Sequence, residues 1–333
     1  MRGVRTSSSP VRPGSEGPLA WTRGDLLAQR GWRTSAGLGV QRDLVRLERW
    51  VSDAELRGEV DPVGAYCPGI LVLPGLHDLA RRIRWAVDHG PGLAVLRGLD
   101  HGASDAALRL VHLEVAAALG PEVGSYGRLF EVRDRGVDAR TQAVPVSMTR
   151  AATGFHTDSS AREVWPRAVG LMCLQAAEAG GDSRVACVGT VVEHLQATAP
   201  EALEILERPF LRDVVTPGAQ RDLSNLRANR FPILERGRGG RGVRLRWMRL
   251  WIERGHERSG EPLDPAQRAA LDALEQALEC PKHHVTLRLE RGDALWVHNG
   301  ATAHDRTAFE DDPLRPRRLM RAWVGARREA AAA

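Results

Sequence analysis

Two histidines and one aspartate, split between two distant segments, place the strongest constraint on how this chain can fold. His156 and Asp158 lie in the segment 154–159, Gly-Phe-His-Thr-Asp-Ser, and His304 lies in the segment 299–306. If the first segment is extended, His156 and Asp158 point to the same face. Two histidines and one carboxylate, with three positions left open, are the ligand set of non-haem Fe(II) oxygenases. We therefore expect a fold that brings both segments to one interior site.

Spacing alone leaves other interpretations of these residues open. His-x-Asp is a short motif that occurs by chance, and a single histidine or aspartate in a strand more often makes structural hydrogen bonds. A closed set of four ligands would indicate structural zinc. His298, which shortly precedes His304, is the rival for the role of second histidine.

An arginine and a serine add a second kind of chemistry. Arg318 begins a predicted strand that runs to residue 324, and an arginine beside a metal site can hold a carboxylate through two parallel N–H bonds. Ser183 follows the pair Gly180-Gly181, which permits a tight turn, and it offers a hydroxyl. Together they suit the far carboxylate of 2-oxoglutarate. Neighbouring arginines compete with Arg318 for this role, namely Arg315, Arg317 and Arg321.

The order of these features resembles the taurine dioxygenase/clavaminate synthase-like family of Fe(II)- and 2-oxoglutarate-dependent oxygenases. The resemblance covers residues 92–324 and includes the Gly-Asp-Ala-Leu-Trp-Val-His-Asn sequence at 292–299. It favours His304 over His298, because His-x-Arg-x-x-Phe begins at His304. It implies that His156, Asp158 and His304 bind iron. It also implies that Arg318 and Ser183 bind 2-oxoglutarate, with Ser183 standing where the family usually has threonine.

One departure from the family concerns the substrate. Several members carry a second arginine four residues after the cosubstrate arginine, where it contacts an anionic group of the substrate. Counting from Arg318, that position is Ala322, so Arg321 or Arg317 would have to replace it. Asp158 argues against halogenation, because the halogenating relatives have a small residue there that leaves room for halide.

The pattern of elements predicts a mainly β fold with flanking helices around a double-stranded β-helix, a jelly-roll core of the cupin type. Short apolar runs bounded by turn residues predict strands at 169–175, 184–188, 294–297 and 319–324, and helices are predicted at 76–87, 104–119 and 265–278. Residues 1–22 are predicted to be a disordered tail, 23–326 a single domain with a lid-like insertion around 216–262, and 327–333 a C-terminal tail.

Composition limits the partners. The net charge of +5 invites a nucleic-acid interpretation, but Lys282 is the only lysine and the arginines mostly alternate with acidic residues. The glycine- and arginine-rich segment 236–242 is interpreted as a loop over the site rather than an RNA contact. Four scattered cysteines and the lack of a long apolar run predict a cytoplasmic protein with no membrane span. The oligomeric state is not predicted.

These observations predict an Fe(II)- and 2-oxoglutarate-dependent dioxygenase that consumes O2 and releases succinate and CO2. The expected reaction is hydroxylation of an unactivated C–H bond in a small polar or amino-acid-like metabolite, in specialised metabolism. Desaturation, ring closure and epoxidation remain open. Two alternatives are a cupin-like metal enzyme without 2-oxoglutarate and an arginine-rich nucleic-acid-binding protein.

Overall fold

Two β-sheets face each other in the computed structural model, which describes residues 19–99, 102–124, 127–158, 165–215, 220–236 and 242–326. The strands are β1 Arg33–Ser35, β2 Leu93–Arg97, β3 Phe130–Val132, β4 Ala168–Gln175, β5 Ala179–Gly180, β6 Ser183–Cys187, β7 Pro209–Leu211, β8 Arg230–Pro232, β9 Leu234–Arg236, β10 Val243–Leu245, β11 His284–Leu287, β12 Ala294–His298, β13 Thr302–Arg306, β14 Phe309–Glu310 and β15 Arg318–Val324. Six of these form a sheet in the order β1-β2-β12-β4-β15-β3, and three form a sheet in the order β11-β6-β13.

Helices cover the outer side of each sheet. They are α1 Arg23–Ala28, α2 Leu38–Leu56, α3 Pro62–Ala65, α4 Pro74–Asp88, α5 Asp105–Leu119, α6 Val188–Thr198, α7 Pro200–Leu206, α8 Leu223–Ala228, α9 Arg249–Ser259 and α10 Pro265–Glu279, with a 3-10 helix at Val146–Met148. The predicted helices correspond to α4, α5 and α10. Ser104 caps α5 by accepting a hydrogen bond from the backbone N–H of Ala107.

The layers follow from which face of each strand is apolar. Helices α2, α4 and α5 pack against one face of the six-stranded sheet, and α6, α7 and α10 pack against the three-stranded sheet. A third cluster joins the inner faces, with Val169 and Leu295 on one side and Val185 on the other. Residues that alternate along a strand reach opposite layers, so inward side chains from distant segments meet between the sheets.

Close packing at the centre of the large sheet depends on Gly170. It lies opposite Trp296 in the antiparallel β4–β12 pair. A Cβ atom at residue 170 would approach the Trp296 ring to 2.5 Å, which is too close for a real contact. The buried indole of Trp296 occupies this space and also packs against His112 of α5, with ring centroids 4.7 Å apart.

The structure differs from the predicted organisation in two respects. The helices contain more residues than the strands, because the two faces of the sandwich each carry a helical layer. Trp21, which falls within the predicted disordered tail, is buried in the core, and its indole donates to the carbonyl of Pro91. Residues 1–18 and 327–333 of the predicted tails lie outside the described residues, as do parts of the predicted lid at 216–219 and 237–241.

Over the described ranges, no helix combines the length and the apolar character that a transmembrane helix needs.

Candidate active site

A cavity between the sheets contains the three predicted metal-binding side chains, and two distinct groups of residues line it. We call Ser183, Arg306 and Arg317, contributed by β6, β13 and the residue before β15, the strand wall. We call the second group, which surrounds the 3-10 helix, the segment after β7 and the start of α9, the helix wall. The helix wall consists of Val146, Ser147, Arg212, Val215, Met248 and Trp251.

The backbone brings the two histidines together. The N–H of His156 donates to the carbonyl of His304, and the N–H of His304 donates to the carbonyl of His156, each at 2.8 Å. The Nε2 atoms of His156 and His304 lie 3.7 and 3.6 Å from Oδ1 of Asp158. One ligand atom from each residue lies within 4.8 Å of the other two, which is the compact spacing that a single ion requires.

The protonation states also suit metal binding. Burial, followed by the neighbouring His304, lowers the pKa of His156 to about 4, so its imidazole is neutral at pH 7. Nδ1 of His156 lies 2.9 Å from the carbonyl of Gly154, which leaves Nε2 facing the cavity. Burial alone would raise the pKa of Asp158, but Arg321 and His304 outweigh it and hold that pKa well below its usual range. Neutral imidazoles and an ionised carboxylate are the forms that bind metal.

Three side chains fix the orientation of Asp158. The indole Nε1 of Trp323 donates to Oδ2 at 2.6 Å, and Nη1 of Arg321 lies 3.3 Å from the same oxygen. Asn299 holds the backbone, because its Oδ1 accepts from the N–H of Asp158 and its Nδ2 donates to the carbonyl, both at 2.7 Å. Oδ1 of Asp158 is thereby directed towards the histidines.

His298, the rival ligand, serves a local turn. Its Nδ1 accepts hydrogen bonds from the backbone N–H groups of Gly300 and Ala301, and it does not line the cavity. Burial lowers its pKa to about 4, in keeping with a neutral imidazole that accepts hydrogen bonds.

The structure corrects the prediction for Arg318. Side chains alternate along β15, and Leu319, Arg321 and Trp323 line the cavity. Arg318 lies on the opposite face of the strand and points away from the cavity. Its Nη2 lies 2.6 Å from Oδ2 of Asp105. Arg317 lines the cavity instead and is only 4% exposed. Within the described part of the chain, its Nη1 has no hydrogen-bond partner.

The surroundings of Arg317 favour an anionic ligand. Arg306 and Arg317 lie on the ring of Phe309, at 4.8 and 5.1 Å from its centroid. Burial, followed by the charge of Arg317, lowers the pKa of Arg306 to about 9, and burial lowers that of Arg317 to about 10. A buried carboxylate would relieve this repulsion. Gly181 makes room for the side chain, because a Cβ there would lie 3.0 Å from Nε of Arg317.

Ser183 is one of the residues that line the cavity. It begins β6, is 3% exposed and lies on the strand wall. By contrast, sequence reasoning did not identify Arg212 or Ser147 on the helix wall. Neither belongs to a motif, and only the fold shows that both side chains reach the cavity.

The model of the taurine catabolism dioxygenase TauD, TfdA family matches residues 65–323 of this chain. FR-33289 synthase of Streptomyces rubellomurinus is 28% identical over 247 residues, which cover 72% of this chain and 70% of that protein. A uridine-5'-phosphate dioxygenase of a Streptomyces species is 32% identical over 185 residues, 53% of this chain and 63% of that protein.

Solved structures share the fold. Asparagine oxygenase in complex with Fe(II), 2S,3S-3-hydroxyasparagine and succinate superposes with a TM-score of 0.63 at 22% identity, over 88% of this chain and 93% of that chain. The non-haem iron oxygenase OrfP in complex with Fe and alpha-ketoglutaric acid gives a TM-score of 0.60 at 16% identity, over 88% and 94%.

Proposed function

The chain belongs to the taurine catabolism dioxygenase TauD, TfdA family, which confirms the predicted class of Fe(II)- and 2-oxoglutarate-dependent dioxygenase, and we propose how its cavity residues divide the work. The main observation in its support is that the three metal-binding side chains share one cavity with the buried Arg317. Its Nη1 has no hydrogen-bond partner among the described residues. Neither the cupin-like alternative nor the nucleic-acid alternative explains why that arginine faces the triad.

His156, Asp158 and His304 hold the iron in this proposal. Their donor set and spacing, with a neutral His156 and an ionised Asp158, fit Fe(II), and two histidines with one carboxylate leave positions for other ligands. When bound, the iron with 2-oxoglutarate and O2 supplies the power to oxidise a C–H bond, with succinate and CO2 released. Trp323 and Asn299 keep the carboxylate oriented.

Arg317, rather than Arg318, binds the distal carboxylate of 2-oxoglutarate, with Ser183 donating its hydroxyl. A guanidinium pairs with a carboxylate through two parallel N–H bonds. The low exposure of Arg317 strengthens that pairing, because little water competes for either group. Arg306 adds positive charge on the same wall.

The correction at Arg317 also restores the expected second arginine. Four residues after Arg317 stands Arg321, which is 7% exposed and lines the cavity beside Asp158. Counted from Arg317, the second arginine that the resemblance implies is Arg321 rather than Ala322, and its pairing with Asp158 gives it a proposed role beside the metal ligand.

The substrate is proposed to be a small polar metabolite, either amino-acid-like or phosphorylated. Relatives are named for uridine 5'-phosphate, and structural neighbours were crystallised with hydroxyasparagine and with arginine. Hydroxylation is the proposed outcome, since Asp158 occupies the position that halogenating relatives leave small.

The proposal also includes the expectations about the fold, the domain, the lid, the location and the partners. The facing sheets are consistent with a jelly roll, residues 23–326 with one domain, and the helix wall with a lid of which Met248 and Trp251 are parts. We also keep the proposal of a cytoplasmic protein that binds a small molecule and no nucleic acid.

Anaerobic titration tests the proposed function. Fe(II) and then 2-oxoglutarate are added to metal-free protein while the visible spectrum is recorded. A metal-to-ligand charge-transfer band is expected in the wild type and not in His304→Ala, which lacks one ligand. If the wild type binds iron but gives no band, the proposed role of 2-oxoglutarate is wrong and a cupin-like enzyme is favoured.

A further inference from the structure

The helix wall contains two buried polar side chains that the proposed iron and 2-oxoglutarate sites do not use. Val146, Val215, Met248 and Trp251 belong to one apolar cluster. Ser147 and Arg212 line the cavity among them, at 8% and 2% exposure. A buried polar group normally has at least one hydrogen-bond partner.

Ser147 points to a ligand in its own right. Its Oγ is buried and has no hydrogen-bond partner in the part of the chain that the structure describes. It belongs to the 3-10 helix Val146–Met148, whose end is closed by the backbone hydrogen bond from Thr149 to Val146. A hydroxyl held in this way offers one donor to the cavity.

The backbone of Arg212 is fixed from two sides. Its N–H donates to the carbonyl of Asn229, and Nδ2 of Asn229 donates back to the carbonyl of Arg212 at 2.7 Å. Gly255 of α9 packs against it, because a Cβ at residue 255 would lie 3.0 Å from the Cα of Arg212. The guanidinium is therefore presented from an ordered position rather than from a free surface loop.

The adjacent carboxylate has other partners. Asp213 is 1% exposed, and its two oxygens pair with Arg221, at 2.6 Å, and with Arg258. Asp213 does not line the cavity, whereas Arg212 does. The chain thus places consecutive charges on opposite sides, the carboxylate within an ion cluster and the guanidinium on the helix wall.

We propose that Arg212 and Ser147 form a subsite for a tetrahedral oxyanion of the substrate, of the phosphate or phosphonate class. The fork of a guanidinium engages two oxygens of such a group and leaves the third terminal oxygen to accept from the Ser147 hydroxyl. A tetrahedral group with three terminal oxygens accepts from both residues. The apolar cluster around them would contact the uncharged part of the same molecule.

This inference deepens the proposed function and rests on it for the placement of substrate in the cavity. Occupying the strand wall first removes the competing anion site there. The test therefore uses the anaerobic complex of wild-type protein with Fe(II) and saturating 2-oxoglutarate, recognised by its charge-transfer band. Absence of that band would reject the proposed function, whereas the anion measurements below address the subsite alone.

Methylphosphonate is then titrated and followed by the ³¹P line broadening that the paramagnetic iron causes. The dissociation constant is expected to rise about tenfold or more in Arg212→Met and by several-fold in Ser147→Ala, because charge-assisted hydrogen bonds are lost. Arg212→Lys, which keeps the charge without the fork, should fall between wild type and Arg212→Met. Arg246→Met is the matched control, since Arg246 is also buried, at 6% exposure, but stacks on Phe231 and does not line the cavity.

Competition identifies the class of anion. Methanesulfonate, which is also tetrahedral, should displace methylphosphonate at a concentration about ten times lower than acetate does. The subsite is overturned if Arg212→Met and Ser147→Ala, with native circular dichroism and an intact charge-transfer band, bind methylphosphonate as tightly as wild type. Equal displacement by acetate would also overturn it, in favour of a carboxylate site.

Discussion

The strand wall and the helix wall line the same cavity but hold their side chains in different ways. On the strand wall, Ser183 and Arg306 sit in the three-stranded sheet, and β6 and β13 pair antiparallel over five residues. On the helix wall, Ser147 and Arg212 lie outside the two facing sheets, on a 3-10 helix and on the segment after β7. The sheet register fixes the first wall, and tertiary packing fixes the second.

This difference matches what each wall is proposed to bind. A cosubstrate that all members of a family share can be held by residues whose positions a sheet dictates. A substrate that differs between members is better served by connecting segments, which can change without disturbing the sheets. The following predictions test this comparison, first and last by altering one wall while leaving the other intact.

The largest effect is expected at the strand wall, at Arg317. Arg317→Met should raise the dissociation constant for 2-oxoglutarate about 100-fold, because a bidentate pair with a buried carboxylate is lost. Arg318→Met is the matched control and should change it less than threefold, since Arg318 pairs with Asp105 outside the cavity. Anaerobic titration of the charge-transfer band measures both. A large effect in Arg318→Met with none in Arg317→Met would reverse the assignment.

That pair of variants also shows where sequence reasoning reached its limit. His156 and Asp158 could be paired from sequence because they are two residues apart, and the structure groups both with His304. Arg317 and Arg318 are adjacent, and strand alternation decides which one faces inward. Leu319, Arg321 and Trp323 share the cavity face with Arg317 by regular alternation, but the sequence does not show which of the two alternating sets faces inward.

The fold was predictable to a similar extent. Helices α4, α5 and α10 could be predicted because their apolar residues recur with helical spacing. Arg212 could not be identified, because its place in the cavity depends on packing against Asn229 and Gly255. Such contacts join residues that are far apart in sequence and follow no period.

Acid is expected to weaken the fold that supports both walls. Burial lowers the pKa of His112, behind the large sheet, from 6.5 to about 3. Between these values the unfolded chain binds a proton that the folded chain does not, so the free energy of unfolding falls as pH falls from about 6.5 towards 3. The slope is about 1.4 kcal/mol per pH unit for one such group.

His112→Phe removes this group while keeping a ring against Trp296. Urea unfolding at pH 7, 6, 5 and 4 should show that the free energy of unfolding declines less steeply in the variant than in the wild type. Some decline remains in the variant, because both proteins keep His156 and His298 as further buried histidines. Parallel declines would show that His112 does not titrate on unfolding. The series also separates loss of binding at either wall from loss of the fold.

A smaller effect, on the affinity for Fe(II), is expected at Trp323, which lies beside the metal-binding residues. Trp323→Phe removes the hydrogen bond to Oδ2 of Asp158 while keeping an aromatic ring. The affinity for Fe(II) should fall about tenfold, which is typical when a partner that orients a metal ligand is lost. Trp251→Phe, on the helix wall, should leave it unchanged. Competition with a chelator measures both, and equal losses would show that ring packing, not the hydrogen bond, matters.

The smallest effect should come from removing a single hydroxyl from one wall or from the other. Ser183→Ala should raise the dissociation constant for 2-oxoglutarate about threefold to tenfold, the size expected for one hydrogen bond to a charged group. Ser147→Ala should leave it within twofold, although both serines are buried and line the same cavity. Because each variant removes the same atom, cavity volume and polarity change equally, and only position differs. If both variants weakened 2-oxoglutarate equally, the cosubstrate would span the two walls and the division of labour between them would fail.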